Sequence, residues 1–136
     1  MRAQIFALCL ALAGPVSAEG PEDAAGIRDT ISSQIGAFRA DDFATAFTYA
    51  SPGIRALFGT PERFGAMVRN GYPMVWRPAE VEFLDLREID GRLWQAVRIV
   101  DAQGDVHILG YQMEQAPDGA WKIDGVQVLR QPEVGT

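Results

Sequence analysis

Apolar positions change their spacing once along this chain, near Tyr72. Before it they recur every three or four residues, the repeat of one helix face; beyond it they alternate, the repeat of a strand. Ile27, Ile31, Ile35 and Phe38 predict the inner stripe of a first helix of about four turns, after a loose lead-in over Glu19–Asp23. Phe43, Ala46, Phe47 and Ala50 predict a short second helix, with Asp41 ahead of it to accept the free amide hydrogens of the first turn. Ser51-Pro52 then restarts the chain. Serine serves as the cap, and proline takes the first helical position, where a missing N–H costs nothing. Ile54, Leu57 and Phe58 form the apolar side of that third helix, and Gly59 closes it in a left-handed conformation. Thr60-Pro61 repeats the device for a helix that faces inward through Phe64, Met67 and Val68 and stops at Asn70-Gly71. Each cap contributes roughly 1 kcal/mol, so the run reads as several short helices and not one long one.

Three glycine turns divide the second half: Asp90-Gly91, Ala102-Gln103-Gly104 and Pro117-Asp118-Gly119. The first suits a two-residue hairpin, the others three-residue loops with glycine in the left-handed position. They define four antiparallel strands near 79–89, 92–101, 105–115 and 120–130. Turn length fixes register, and register sorts the faces. Leu84 is expected opposite Val97, Leu86 opposite Gln95, Ile99 opposite His107, Val97 opposite Leu109, Gln95 opposite Tyr111 and Met113 beside Ile123. All three turns then agree on one apolar face that receives the helices. A bulge at Asp124-Gly125 keeps Val126 and Val128 on that side. The opposite face, with Phe83, Trp94, Val100 and Ile108 among Asp85, Arg87 and Arg98, is too apolar for a wholly solvated surface. A homodimer packed sheet to sheet is the expected cover, ahead of the C-terminal tail. The fold class is therefore α+β: N-terminal helices packed on a strongly curved four-stranded antiparallel sheet.

Composition adds a compartment. Met1–Ala18 has the form of a secretory signal peptide: Arg2 in a positive start, an apolar Ile5–Ala13, and the small residues Val16, Ser17 and Ala18 before the cut. That leaves residues 19–136 as a single α+β domain. The apolar run is too short to span a bilayer. Leu8 precedes the one cysteine, Cys9, where a lipoprotein signal needs a small residue, so no membrane anchor is expected. The expectation is a periplasmic or secreted protein without disulfides. The 12 basic against 18 acidic residues give a net charge of −6, which repels phosphate backbones and argues against nucleic acid as a partner.

Three segments, IRDTISSQIGAFRADDFATAFTYASPGIRALFG, FGAMVRNGYPMVWRP and DGAWKIDGVQVL, resemble a bacterial family catalogued as domain of unknown function 4864. The order of helices and strands is similar to the nuclear transport factor 2-like (cystatin-like) superfamily. The superfamily likeness implies a cone of helices and sheet with an internal cavity. It implies no single activity, because isomerases, cyclases, dehydratases, binding proteins and scaffolds share that fold.

Candidate chemistry is sparse. His107 is the sole histidine, and the expected register puts it on the helix-facing side with Ile99 between it and Glu82. The two would lie roughly 10 Å apart, a spacing a ligand can bridge, and they make the best acid–base pair available. Gln95 and Tyr111, directly opposite each other, either bond to each other or help His107 fix a small ligand. Tyr72 and Trp76 belong to a proline-stiffened corner, Tyr72–Pro78, at the mouth of the cone. Asp85, Arg87 and Arg98 suggest an ion network on the outer face. No metal and no cofactor are expected: one histidine leaves only scattered carboxylates, and neither a P-loop nor a dinucleotide glycine motif occurs. Two readings follow. The first is a non-catalytic module holding a small apolar ligand or a protein partner. The alternative is a small-molecule isomerase or cyclase using Glu82 and His107.

Overall fold

The computed structural model describes residues 21–130; the signal-peptide reading of 1–18 and the last six residues lie outside them. Among the described residues five helices come first: α1 (Pro21–Arg39), α2 (Phe43–Thr48), α3 (Pro52–Phe58), α4 (Pro61–Gly71) and α5 (Pro73–Trp76). Four strands follow: β1 (Glu80–Ile89), β2 (Arg92–Val100), β3 (Val106–Gln115) and β4 (Trp121–Arg130). They form one antiparallel sheet in the order β1-β2-β3-β4. The fold is α+β.

The caps fall where the short polar residues call for them. Ser51 and Thr60 accept the amide hydrogens of Ile54 and Arg63, each ahead of a proline, and Gly59 ends α3 at φ +83°. Two details differ. Asp42, not Asp41, caps α2, accepting from Thr45 N at 3.1 Å. Asp41 sits at φ +56° instead, and its carboxylate takes the Trp76 indole at 2.8 Å and the Arg77 guanidinium at 3.0 and 3.1 Å. The lead-in is also shorter than expected, since α1 begins at Pro21 with Glu22 and Asp23 already in its first turn. Carboxylates there oppose the positive end of the helix dipole.

Positive φ at both Asp90 (54°) and Gly91 (80°) makes the two-residue turn that keeps the twist of the flanking strands. The pairings of β2 with β3 and β3 with β4 match the expected register, including the bulge that puts Gln112 opposite Gly125 while Met113 meets Ile123. The first hairpin does not hold to its far end. Leu86 meets Gln95 as expected, but Phe83, not Leu84, meets Val97. One extra residue in β1 at Leu84-Asp85 reverses every side chain before it. Val81 and Phe83 therefore pack against the core. Glu82 lies opposite Arg98 on the outer face, and Leu84 is 37% exposed.

The core lies between α1 and the inner face of the sheet. Ile27, Ile31, Ile35 and Phe38 of α1 meet Val97, Ile99, Leu109, Tyr111 and Met113, all buried. At roughly 1.5–3 kcal/mol for each large side chain, this contact dominates stability. Beyond the core, Ser51 N donates to Ile123 O at 2.9 Å and Ile123 N to Tyr49 O at 2.8 Å. The link between α2 and α3 thus pairs with the free edge of β4 at Ile123.

A cavity beneath the third and fourth helices

α3 is fastened by a polar anchor at its N-terminal end, with Ile54 and Phe58 half-buried against the core. Ser51 is fully buried; its hydroxyl donates to Asp124 Oδ1 at 2.7 Å while accepting Ile54 N at 3.2 Å. Asp124 stands at the β4 bulge, and its other oxygen accepts from Gln112 Nε2 at 2.9 Å, with Arg92 3.7 Å away. The anchor is polar and short. No α3 residue is fully buried, and Leu57, expected on its apolar side, is 72% exposed. α4 packs more firmly, because Gly65 presents no Cβ to the Phe43 ring, where one would come within 2.7 Å. Phe64 gathers Phe38, Phe47 and Phe58 around it at centroid distances of 5.4–5.8 Å.

The space between this frame and the sheet is a cavity of about 380 Å³. Ile54, Leu57 and Phe58 of α3 and Phe64, Met67 and Val68 of α4 form its roof; Tyr111, Ile123, Gly125 and Val126 form its floor. Gln34 and Phe38 of α1 close one side, and Tyr72 and Val75 the other. The exposed Leu57 marks its opening to solvent. Its polar groups are few. Gln34 donates its amide to Ala46 O at 3.2 Å, and the Tyr72 hydroxyl donates to Val126 O at 3.3 Å. Tyr111 is fully buried with a hydroxyl that has no partner, and burial pushes that phenol above the ordinary tyrosine value. Among the described residues no charged side chain lines the wall.

Of the six candidate residues, Tyr72 and Tyr111 line this cavity, and Glu82, Gln95, His107 and Trp76 do not. The expected acid–base pair does not assemble. Glu82 faces outward 3.6 Å from Arg98, while His107 is buried on the inner face. His107 Nε2 meets Asp101 Oδ2 at 2.9 Å, which leaves Nδ1 without a partner. Asp101 also accepts the Gln103 and Asp105 amides, so the pair braces the β2–β3 turn. The His107 hydrogen bond holds the Asp101 carboxyl below its ordinary pKa, with the two amides adding to it. Gln95 does not bond to Tyr111. Its amide donates to Leu84 O at 3.0 Å and Ala96 O at 2.8 Å, with Asp85 O at 3.4 Å, and so ties off the carbonyls loosened by the β1 bulge. Trp76 belongs to a brace at the corner, stacked beneath Arg77 at 4.2 Å and bonded to Asp41. The outer charges pair as Arg87 with Asp85 at 3.2 Å and Arg98 with Glu80 and Glu82, not as one network.

Gln34, Ser51 and Asp124 were not among the candidates. Gln34 had a signal, three residues after Ile31 and four before Phe38 on the inner stripe of α1. Ser51 and Asp124 had none, because their contact joins positions 73 apart in sequence.

The family model described as Domain of unknown function (DUF4864) matches residues 21–136. The chain belongs to the DUF4864 family. No curated protein and no solved structure matches it significantly. The DUF4864 match takes in every element that walls the cavity and supplies no activity. Among the described residues no helix is long and apolar enough to cross a membrane, and no three histidine, cysteine or carboxylate side chains gather as metal ligands.

Proposed function

We propose that this DUF4864 chain is an exported, non-catalytic module that holds a small apolar ligand between its helices and its sheet. The observation that carries the reading is the apolar cavity of about 380 Å³, within the size range of small-molecule sites. Among the described residues its walls hold no histidine and no carboxylate, so they offer contact surface and no proton-transfer pair. The resemblance to the nuclear transport factor 2-like superfamily, where helices and sheet enclose such a space, favours the same reading. Export rests on the form of Met1–Ala18. The test is fluorescence titration with the neutral probe N-phenyl-1-naphthylamine, alongside native mass spectrometry for co-purified ligand. Ile54→Trp fills the cavity from its half-buried roof position, and should weaken the probe at least tenfold while the protein stays folded. Equal binding by the filled variant defeats the proposal.

The outer face of the sheet supports a second part of the reading, a homodimer. Gly110 lets the Trp94 ring and Leu129 close over it, each within 3.3 Å of where a Cβ would stand. Leu129 is 56% exposed and Ile89 49%. Asp85 and Asp90 line the same groove as Arg87 and Arg92, so the face carries both signs of charge, as a self-complementary interface needs. A four-stranded sheet of this length offers a face of about 20 by 30 Å, about 600 Å², at the lower end of the range around the roughly 800 Å² per partner of a standard interface. Sedimentation of the wild type at micromolar concentration should give a dimer and Leu129→Glu a monomer. A monomeric wild type removes the dimer and leaves the cavity reading standing.

A further inference from the structure

Resting on the cavity reading, we infer the class of ligand: a neutral, largely apolar molecule with one hydrogen-bond acceptor, which the Tyr111 hydroxyl meets. Four facts converge. Tyr111 lines the floor of the cavity and is fully buried, in register between Gln95 on β2 and Val126 on β4. None of its neighbours bonds to it: the Gln95 amide nitrogen donates to Leu84 O and Ala96 O, and the Tyr72 hydroxyl donates to the Val126 carbonyl. Gln34, the remaining polar side chain on the wall, directs its amide to Ala46. The Tyr111 oxygen has less than 1 Å² of surface, so water does not serve it. An acceptor reaches it when a ligand occupies the cavity and presses the wall side chains aside.

Charge decides the rest. Among the described residues the wall has no cation to neutralise a carboxylate and no anion for an amine, and an unpaired buried ion is far more unfavourable than one hydrogen bond is favourable. A hydrocarbon without a polar atom leaves the phenol unsatisfied. A ketone, ether or alcohol on an aliphatic or cyclic body fits both demands.

Three matched compounds separate the terms when they compete with N-phenyl-1-naphthylamine: octan-2-one, 2-methyloctane and octanoate. Octan-2-one should displace the probe about fivefold more tightly than 2-methyloctane from the wild type, the size of one ordinary hydrogen bond. Octanoate should be the weakest. Tyr111→Phe should bring octan-2-one and 2-methyloctane level without lowering the melting temperature, because the variant removes an unsatisfied hydroxyl and no contact. Equal affinities in the wild type, or a preference that survives Tyr111→Phe, overturn the inference and leave cavity binding intact. Octanoate binding best overturns the neutral class. Failure of the probe and all three compounds to bind overturns the cavity reading itself.

Discussion

Gln95 gives the sharpest test of how the sheet is built. It is buried to 1% exposure, and its amide donates at 2.8 Å to Ala96 O and at 3.0 Å to Leu84 O. Gln95→Met keeps the length and flexibility of the side chain and deletes its donors. Two well-formed bonds at roughly 0.5–1.5 kcal/mol each give a loss of about 2 kcal/mol. With a urea m-value of about 2 kcal/mol per molar, the unfolding midpoint should fall by about 1 M. Gln95→Glu should be worse and pH-dependent. Its carboxylate would face carbonyl oxygens in a buried site, so its folded pKa is raised above the ordinary value. Protonated, the carboxyl keeps one donor; the deficit should therefore be smallest in acid and grow as pH rises above about 4. Urea melts at pH 3.5 and 7 measure both effects. A Gln95→Met midpoint within 0.2 M of wild type, on the order of the error of such melts, would refute the clamp.

Three other outcomes are expected from the same geometry. Gly36 is exposed inside α1 with nothing within 4 Å of a Cβ, so Gly36→Ala should stabilise by roughly 0.5–1 kcal/mol. Gly65→Ala makes the same change where a Cβ meets the Phe43 ring at 2.7 Å, and should destabilise by about 1–3 kcal/mol; like signs for the two in urea melts contradict the packing. Asp101 has a folded pKa held below the ordinary 3.8 by His107, so the stability it adds is present at neutral pH and lost as pH falls through that lowered value. Asp101→Asn should flatten the acid limb of a stability–pH curve, and unchanged limbs would show that the pair does not couple to folding. Ser51→Ala removes both the α3 cap and the Asp124 bond, and should cost about 1–3 kcal/mol with faster amide exchange in α3 than in α1.

Local chemistry made most of the fold legible. Glycine turns fixed three hairpins, serine and threonine before proline fixed two helix starts, and the Ile27–Phe38 stripe fixed the helix that fills the sheet. The β1 bulge was hidden because Phe83 and Leu84 are both large and apolar, so either satisfies the alternation and only packing against Val97 chooses. Its one trace in the sequence was that adjacent apolar pair. Asp41 and Asp42 posed the same problem, since two equal caps stand side by side and the long-range Arg77 contact selects between them. The cavity itself was legible only in outline. Its walls come from α1, α3, α4 and the β3–β4 pair, and spacing within an element says nothing about the gap between elements.

The bulge also decides what the cavity is able to do. Without the extra residue, Glu82 would point inward beside Ile99 and share a face with His107. With it, the full thickness of the sheet separates the carboxylate from the imidazole. His107 then finds its acid in Asp101, two strand ends away from the cavity floor, where the pair closes a turn. The polar groups left on the wall are Gln34, Tyr72 and Tyr111, and a buried phenol with a raised pKa, as at Tyr111, neither releases nor accepts protons readily near neutrality. It can donate one hydrogen bond and hold that geometry, because Gln95 and Val126 fix its strand on both sides. Under the proposed reading, a single donor in an uncharged apolar space orients a ligand without changing it.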